Sequence, residues 1–253
     1  MPPPVVTLIT VVCRVVLSEK FVILITFASR GIKKIAGLPA LLGQPVVMHR
    51  YGGKGIAQAV AGWGMKSTSV RARELAEELV LPYWSLEDGF LRSVGVGQAE
   101  QTLSLVVDDL GIYYDARRPS RLEALIADDL NDDQLDRARG LQTAWRAAQV
   151  SKYNHGRIFN EALPVPYVLV VDQTKGDASV ACGLANEASF DRMLSCALAE
   201  NPEATILLKV HPEVMQGRKQ GYFDVDAVSR MPRVQVVASD AHPVGLIEKA
   251  AAL

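Results

Sequence analysis

The sequence predicts an α/β protein made of two Rossmann-like halves, and three observations carry that prediction. Short apolar, β-branched runs alternate with helical segments, the pattern of parallel sheets flanked by helices. Polar clusters recur where those runs stop. A turn-rich stretch with two prolines, "SKYNHGRIFNEALPVP" (151–166), divides the alternation in two. The expected division is residues 1–155 and 156–253.

In chain order, "FVILITFA" (21–28) reads as a buried strand, followed by "SRG" and one helix through "IKKIAGLPALLG". "PVVMHRYG" and "AVAGWG" are shorter strands, the second ending in the turn-like Gly62-Trp63-Gly64. "STSVRARELAEEL" opens on capping residues and continues in good helix formers, so a helix is predicted there. "LPYWSLED" returns to strand, as does "LSLVVDD", which leads through a turn to a helix start. "NDDQLDRARGLQTAWRAAQ" reads as a long surface helix. Beyond the linker, "YVLVVDQTKGDAS" begins the second half, with a helix over "NEASFDRMLSCALAEN" and strands in "TILLKVHPE" and "VQVVAS". No internal repeat and no low-complexity tract is visible.

The chain has 253 residues, of which 49% are hydrophobic and 22% charged, the balance of a globular protein. With 27 basic and 28 acidic residues the formal net charge is −1, so the overall charge balance points to no nucleic-acid partner. Cys13, Cys182 and Cys196 are odd in number and widely spaced, which suggests neither a disulfide framework nor a zinc site and fits a reducing cytoplasm. The N-terminal stretch from Val5 to Ala28 is apolar but interrupted by Arg14, Glu19 and Lys20. It matches neither a membrane span nor a signal peptide and reads as two buried strands or an extension before the first strand.

Ligands of open α/β sheets gather at the carboxyl ends of strands. Four clusters fall at such ends: Glu87-Asp88-Gly89, Asp108-Asp109, Asp172-Gln173-Thr174 and His211-Pro212-Glu213. Each also has a plain structural reading. Glu87 or Asp88 would cap a following helix, and Asp108 and Asp109 would form a turn or bind a divalent metal, the weaker choice without regular ligand spacing. "DQTKGDAS" would hold an anion on its backbone but lacks the order of a P-loop. Pro212 fixes the backbone after His211, and Lys209 shares the face of His211 on a regular strand, which suits a phosphate. His49, His155 and His242 read as surface or turn residues.

Taken in order, "LEDGFLRSVG", "LSLVVDDLGIYYDA", "SKYN", "VLVVDQTKGDAS" and "LLKVHPEV" resemble the bacterial capsular polysaccharide β-Kdo transferases of the KpsC/LipA type, over roughly residues 29 to 250. "GWGMKSTSVRARELAEE" brings it nearer to the first of the two modules many members carry. The resemblance implies a GT-B architecture: two Rossmann-like domains facing each other across a cleft, an acceptor-side one and then a nucleotide-binding one. Members continue beyond the equivalent of "LIEKAAAL", so the second domain is expected to be incomplete here. Their Glu-Asp-Gly and His-Pro elements are similar to those of bacterial sialyltransferases.

The implied activity is retaining transfer of 3-deoxy-D-manno-octulosonic acid (Kdo) from CMP-Kdo to a lipid-linked Kdo acceptor, in building the capsule linker of Gram-negative bacteria. No cofactor and no metal is implied. The protein would be cytoplasmic, with a peripheral contact at the inner membrane because its acceptor is a lipid. Asp88 matches the catalytic aspartate of the Glu-Asp-Gly element and is expected to be the nucleophile. Glu87 would orient it or raise its basicity, and Gly89 would leave room for the sugar and let the chain turn. His211 matches the His-Pro element and would meet the departing phosphate. Lys209 and the backbone after Gln173, with Thr174, Pro212 and Glu213, would complete the donor site. Arg92 is our own addition, as a bidentate partner of the Kdo carboxylate. A non-catalytic scaffold of the capsule-assembly machinery stands as the alternative.

Overall fold

A computed structural model describes residues 24–49, 57–96, 100–156, 162–238 and 241–253. The expectation for the N-terminal apolar stretch therefore lies, up to residue 23, outside the described residues. The chain divides into two compact units, one ending at Arg137 and one beginning at Ala138. The division falls upstream of the 151–166 stretch where the sequence alone places it.

The first unit begins with β1 (Ile25–Phe27), α1 (Arg30–Lys33), α2 (Leu38–Leu42), β2 (Val46–Met48) and β3 (Ala59–Trp63). A 3-10 turn (Ser67–Ser69), α3 (Val70–Leu79), β4 (Tyr83–Asp88), β5 (Leu105–Asp108), α4 (Arg121–Ala127) and the start of α5 (Asp132–Ala148) follow. The single helix expected over 32–43 is two short ones. Gly37 separates them in the left-handed region at φ 70°, a conformation cheap for glycine, and Pro39 sits in the first turn of α2.

The strands form one sheet in the order β2-β1-β3-β4-β5. The first four are parallel and β5 is antiparallel to β4. The all-parallel expectation fails there for a topological reason. A parallel return needs a crossover long enough to pass over the sheet face, usually a helix, whereas residues 89–104 contain none among the described residues.

β3 lies inside the sheet and is buried on both faces. Ala61 packs with Ile25, Phe27, Leu38 and Leu86 on one side, while Val60 packs against Ala72, Leu75 and Ala76 of α3 on the other. The helical spacing of those three residues gives α3 its buried stripe. Leu86, wholly buried, is the last core residue of β4 before the polar end.

In the second unit, α5 is followed by β6 (Tyr167–Val171), α6 (Ala178–Cys182), α7 (Glu187–Glu200), β7 (Thr205–Lys209), α8 (Pro212–Met215), α9 (Val225–Val228), β8 (Val234–Val237) and α10 (Pro243–Ile247). The sheet runs β6-β7-β8, all parallel. β7 is central, and its alternation splits the core: Ile206 and Leu208 face Val168, Leu194 and Phe223, while Leu207 faces Tyr167, Leu169 and Leu246. The long helices α5 and α7 match the sequence reading. The four- and five-residue helices α6, α8, α9 and α10 are too short to show a hydrophobic period; Asp177, His211 and Asp224 cap the first three, and Pro243 opens α10.

Replacing Leu86 by Ala removes a fully buried side chain directly beneath the polar strand end. We expect a loss of about 2–5 kcal/mol in the unfolding of the first unit, read by denaturant titration of the Trp63 and Trp84 fluorescence.

Candidate functional site

β4 runs through Asp88, so its carboxylates belong to the strand itself and neither caps a helix. Successive strand residues point to opposite faces, which separates Glu87 from Asp88. The Glu87 carboxylate is fixed by three donors. Trp63 Nε1 donates to Oε1 at 3.1 Å, the backbone N–H of Asp88 donates to the same oxygen at 3.1 Å, and the Tyr114 hydroxyl donates to Oε2 at 3.4 Å. Tyr114 in turn accepts from the backbone N–H of Met65 at 3.0 Å. The group is closely packed: a side chain on Gly64, itself at φ 45°, would lie 2.2 Å from the Tyr114 hydroxyl. Glu87 thus ties the ends of β3 and β4 to the 111–115 loop.

Asp88 pairs with Arg92. Arg92 Nε donates to Asp88 Oδ1 at 3.2 Å, with side-chain exposures of 8% and 18% respectively. Arg92 Nη1 also donates to Ser93 Oγ at 2.8 Å, and Ser93 Oγ donates to the carbonyl of Gly95 at 2.6 Å. The guanidinium assigned from sequence to the donor carboxylate is therefore, in this structure, the counter-ion of Asp88. Gly89 also differs from expectation. Its backbone N–H donates to the Ser104 carbonyl at 3.0 Å, and a Cβ on it would lie 1.9 Å from Ser104 Oγ. The space beside it is filled by the start of β5 rather than left open for a sugar, and its φ is not left-handed.

Asp108 is buried and accepts from the backbone N–H groups of Leu110, Gly111 and Arg121, so it is a turn-former at the start of α4. Asp109 forms a two-pronged pair with Arg121, whose guanidinium holds the Asp109 carboxyl below its ordinary range. Among the described residues no group of three or more His, Cys, Asp or Glu side chains is placed to hold a metal ion.

In the second unit Asp172 follows β6 and is buried. Its Oδ1 accepts from the backbone N–H groups of Gln173 at 2.8 Å and Tyr222 at 3.0 Å, whereas the buried Oδ2 has no hydrogen-bond partner among the described residues. Burial pushes the carboxyl up, against the pull of those N–H groups and of the neighbouring His211. The backbone cradle expected after Gln173 is internally satisfied. Thr174 N–H donates to the Gln173 side chain and Lys175 N–H to the Gln220 carbonyl. Thr174 itself is buried and bridged to Gly221.

His211 sits just past β7 as the N-cap of α8, with Pro212 in its first turn. Its Nδ1 accepts from the backbone N–H of Glu213 at 3.2 Å, which leaves the proton of the neutral ring on Nε2. Burial holds the imidazole below its ordinary 6.5, with the Glu213 carboxylate opposing and Lys219 assisting. Glu213 pairs with Lys219 at 2.7 Å and is drawn down by it. Asp172, Lys209, His211 and Pro212 are among the residues lining a pocket of about 150 Å³, together with Pro243 and Leu246 of α10.

His242 contradicts the surface reading. It is buried at 7% exposure, with Nε2 3.3 Å from Ser151 Oγ and 3.5 Å from Asn154 Oδ1, so it anchors the 151–154 turn to α10. The sequence signal was present in a second His-Pro pair opening a helix. Trp63, Ser93, Ser104 and Tyr114 were likewise not singled out as site residues. Nothing in their spacing shows these contacts, because Trp63 and Tyr114 come from other segments and Ser93 and Ser104 reach Arg92 and Gly89 only through the fold of the 89–104 connection.

Residues 58–165 and 160–253 match the family described as "Capsule polysaccharide biosynthesis protein", and the chain belongs to that family. It is 43% identical over 230 residues to the "Capsule polysaccharide modification protein LipA" of Neisseria meningitidis serogroup A / serotype 4A, covering 87% of this chain and 32% of the relative. It is 40% identical over 174 residues to the "Lipopolysaccharide-processing protein LpsZ" of Rhizobium meliloti, covering 65% of this chain and 39% of the relative. The chain thus spans about a third of the length of these curated relatives.

Among solved structures it is similar to the β-Kdo 2,4 transferase of Thermosulfurimonas dismutans KpsC, with a TM-score of 0.79 and 43% identity, covering 90% of this chain and 72% of that one. The β-Kdo 2,7 transferase of the same organism's KpsC superposes with a TM-score of 0.51 at 24% identity, covering 91% and 77%, a likeness of fold alone.

Two outcomes follow from these geometries. Gly89→Ala should lower stability by about 1–3 kcal/mol, seen as a reduced urea midpoint, because Ser104 cannot retreat without moving β5. The His211 imidazole should titrate below 6.5 in an NMR pH series. Its folded value is depressed, so the unfolded state binds more protons between the two values. The stability it contributes is complete above about 6.5 and is lost as pH falls through the folded value.

Proposed function

We propose that the chain is a retaining glycosyltransferase that moves Kdo from CMP-Kdo to a lipid-linked Kdo acceptor during capsule-linker synthesis, a GT-B-type enzyme forming a 2,4 linkage. The observation that carries this reading is Asp88. It is a partly exposed carboxylate on a strand end, held by a buried arginine, in a chain 43% identical to a structure named as a β-Kdo 2,4 transferase. The higher identity to that relative than to the 2,7 enzyme supports the linkage. A cytoplasmic location with peripheral contact at the inner membrane belongs to the same reading. No helix among the described residues is long and apolar enough to cross a membrane.

Retention requires two displacements. In the first, a carboxylate oxygen of Asp88 attacks the anomeric carbon and cytidylate leaves. In the second, the acceptor hydroxyl attacks from the face that the nucleotide vacated. Glu87 acts on this step by position: its hydrogen bond to the Asp88 N–H, with Trp63 and Tyr114 behind it, fixes the strand end from which Asp88 projects.

The leaving cytidylate gains a negative charge, and His211 is suited to meet it as a neutral donor. With Nδ1 occupied by the Glu213 N–H, Nε2–H is the available donor and needs no protonation at neutral pH. Lys209, the last residue of β7 and two positions before His211, would supply positive charge. No resident metal or cofactor enters this scheme.

The test is incubation with CMP-Kdo and a Kdo-glycolipid acceptor. Asp88→Asn preserves shape and should keep donor binding while lowering transfer by roughly 10³-fold or more, at a stability cost of about 3–5 kcal/mol because Arg92 loses its counter-ion. His211→Ala should slow CMP release by roughly 10²-fold and cost about 1 kcal/mol through loss of the α8 cap. An unaltered acceptor with a normally folded wild type would leave the non-catalytic scaffold. CMP release at one rate with and without acceptor would point to donor hydrolysis instead.

A further inference from the structure

We infer that Arg92 serves two carboxylates in turn: Asp88 in the resting protein, and the carboxylate on the anomeric carbon of the donor sugar once Asp88 has become an ester. The inference rests on the transferase reading above and adds to it a role for Arg92 in holding the donor.

Arg92 is 7% exposed, and a guanidinium so placed needs a compensating anion at every stage of the reaction. In the resting state Asp88 supplies it through the 3.2 Å bond from Nε. In the first displacement the bond between the anomeric carbon and the cytidylate oxygen breaks, and its electron pair stays on the phosphate. A bond forms from an Asp88 oxygen to that carbon, and no proton moves. Asp88 is then a neutral ester and Arg92 has lost its counter-charge.

A 2-ulosonic acid carries its carboxylate on the carbon now bonded to Asp88. The replacement anion is therefore delivered within a few bond lengths of the charge it replaces. An aldose donor has hydrogen at that position and would leave the guanidinium unpaired.

The side chain is built to stay in place during this exchange. Ser93 Oγ accepts from Nη1 at 2.8 Å and is itself fixed by its bond to the Gly95 carbonyl. The Arg92 carbonyl accepts from the Leu103 N–H at 2.8 Å. A planar guanidinium offers further N–H donors beside Nε, so a second carboxylate can be engaged without the side chain leaving Ser93. In the second displacement the sugar leaves with its carboxylate, and the Asp88 carboxylate freed from the ester reclaims Arg92.

The test measures equilibrium binding of CMP and of CMP-Kdo by calorimetry to the 253-residue chain, in a background that cannot turn over. Asp88→Asn supplies that background. Asp88→Asn/Arg92→Met removes both charges and leaves no lone ion buried. Adding Arg92→Met should weaken CMP-Kdo binding on the order of tenfold and leave CMP binding unchanged, because CMP has no such carboxylate. Equal CMP-Kdo affinity in the two variants, both folded by circular dichroism, overturns the inference. If the Met variant melts early, Asp88→Asn/Arg92→Lys is read in its place. Partial loss of CMP-Kdo affinity supports the exchange, and full affinity overturns it. Failure of the wild type to bind CMP would sink the transferase reading itself, and the inference with it.

Discussion

A guanidinium removed from water beside a carboxylate at the end of a strand is the constraint from which the rest of the first unit follows. Taking either ion out of solvent is unfavourable by several kcal/mol, and losing one partner of such a pair typically costs about 3–5 kcal/mol. The Asp88–Arg92 contact is therefore held from several sides. Ser93 fixes the guanidinium, Gly89 lets β5 approach without a side chain between, and Glu87 secures the strand end through Trp63 and Tyr114. Adjacent carboxylates on one strand are compatible because alternation sends them to opposite faces, each with its own donors. The two acids are not a shared acid–base pair. Glu87 is held by Trp63, Tyr114 and the Asp88 N–H, whereas Asp88 pairs with Arg92.

The second unit solves a different electrostatic problem with similar economy. Parallel strands buried on both faces bring Asp172, Lys209 and His211 to one end of the sheet. The short helix after His211 takes up Nδ1, and burial favours the neutral ring, so the imidazole is a directed donor rather than a resting cation. Asp172 is spent on backbone N–H groups from two segments, Gln173 and Tyr222, and so shapes the pocket wall. Its second oxygen remains without a hydrogen-bond partner among the described residues, an unfavourable arrangement matched by the raised carboxyl. The loop backbone is already engaged: the N–H groups of Gln173 and Thr174 are accepted by the Asp172 and Gln173 side chains and that of Lys175 by the Gln220 carbonyl.

Much of the architecture is legible in the sequence because its strands and long helices carry strong periodic signals. β3, β4, β6, β7, α3, α5 and α7 stand where apolar runs and helix formers put them. The reversal at β5 was not legible, since strand direction depends on whether the connecting chain crosses the sheet and not on the composition of the strand. Gly37 and Pro39 do announce the break between α1 and α2, but the apolar residues around them suggest continuity. At the site, Glu87, Asp88 and His211 were visible through their place at strand ends. The partner of Arg92 was not, because an arginine four residues beyond a carboxylate meets it only if the intervening loop folds back. Nor was the burial of His242, whose Ser151 partner is 91 positions away in the chain.

In the proposed reaction a carboxylate oxygen of Asp88 takes the sugar. Intact-mass spectrometry of the 253-residue chain, quenched soon after mixing with CMP-Kdo alone, tests this most directly. The account predicts a species heavier by one Kdo residue, mapped by proteolysis to Asp88 and absent from Asp88→Asn. A Kdo adduct on any other residue, or rapid transfer to acceptor by Asp88→Asn, would contradict it.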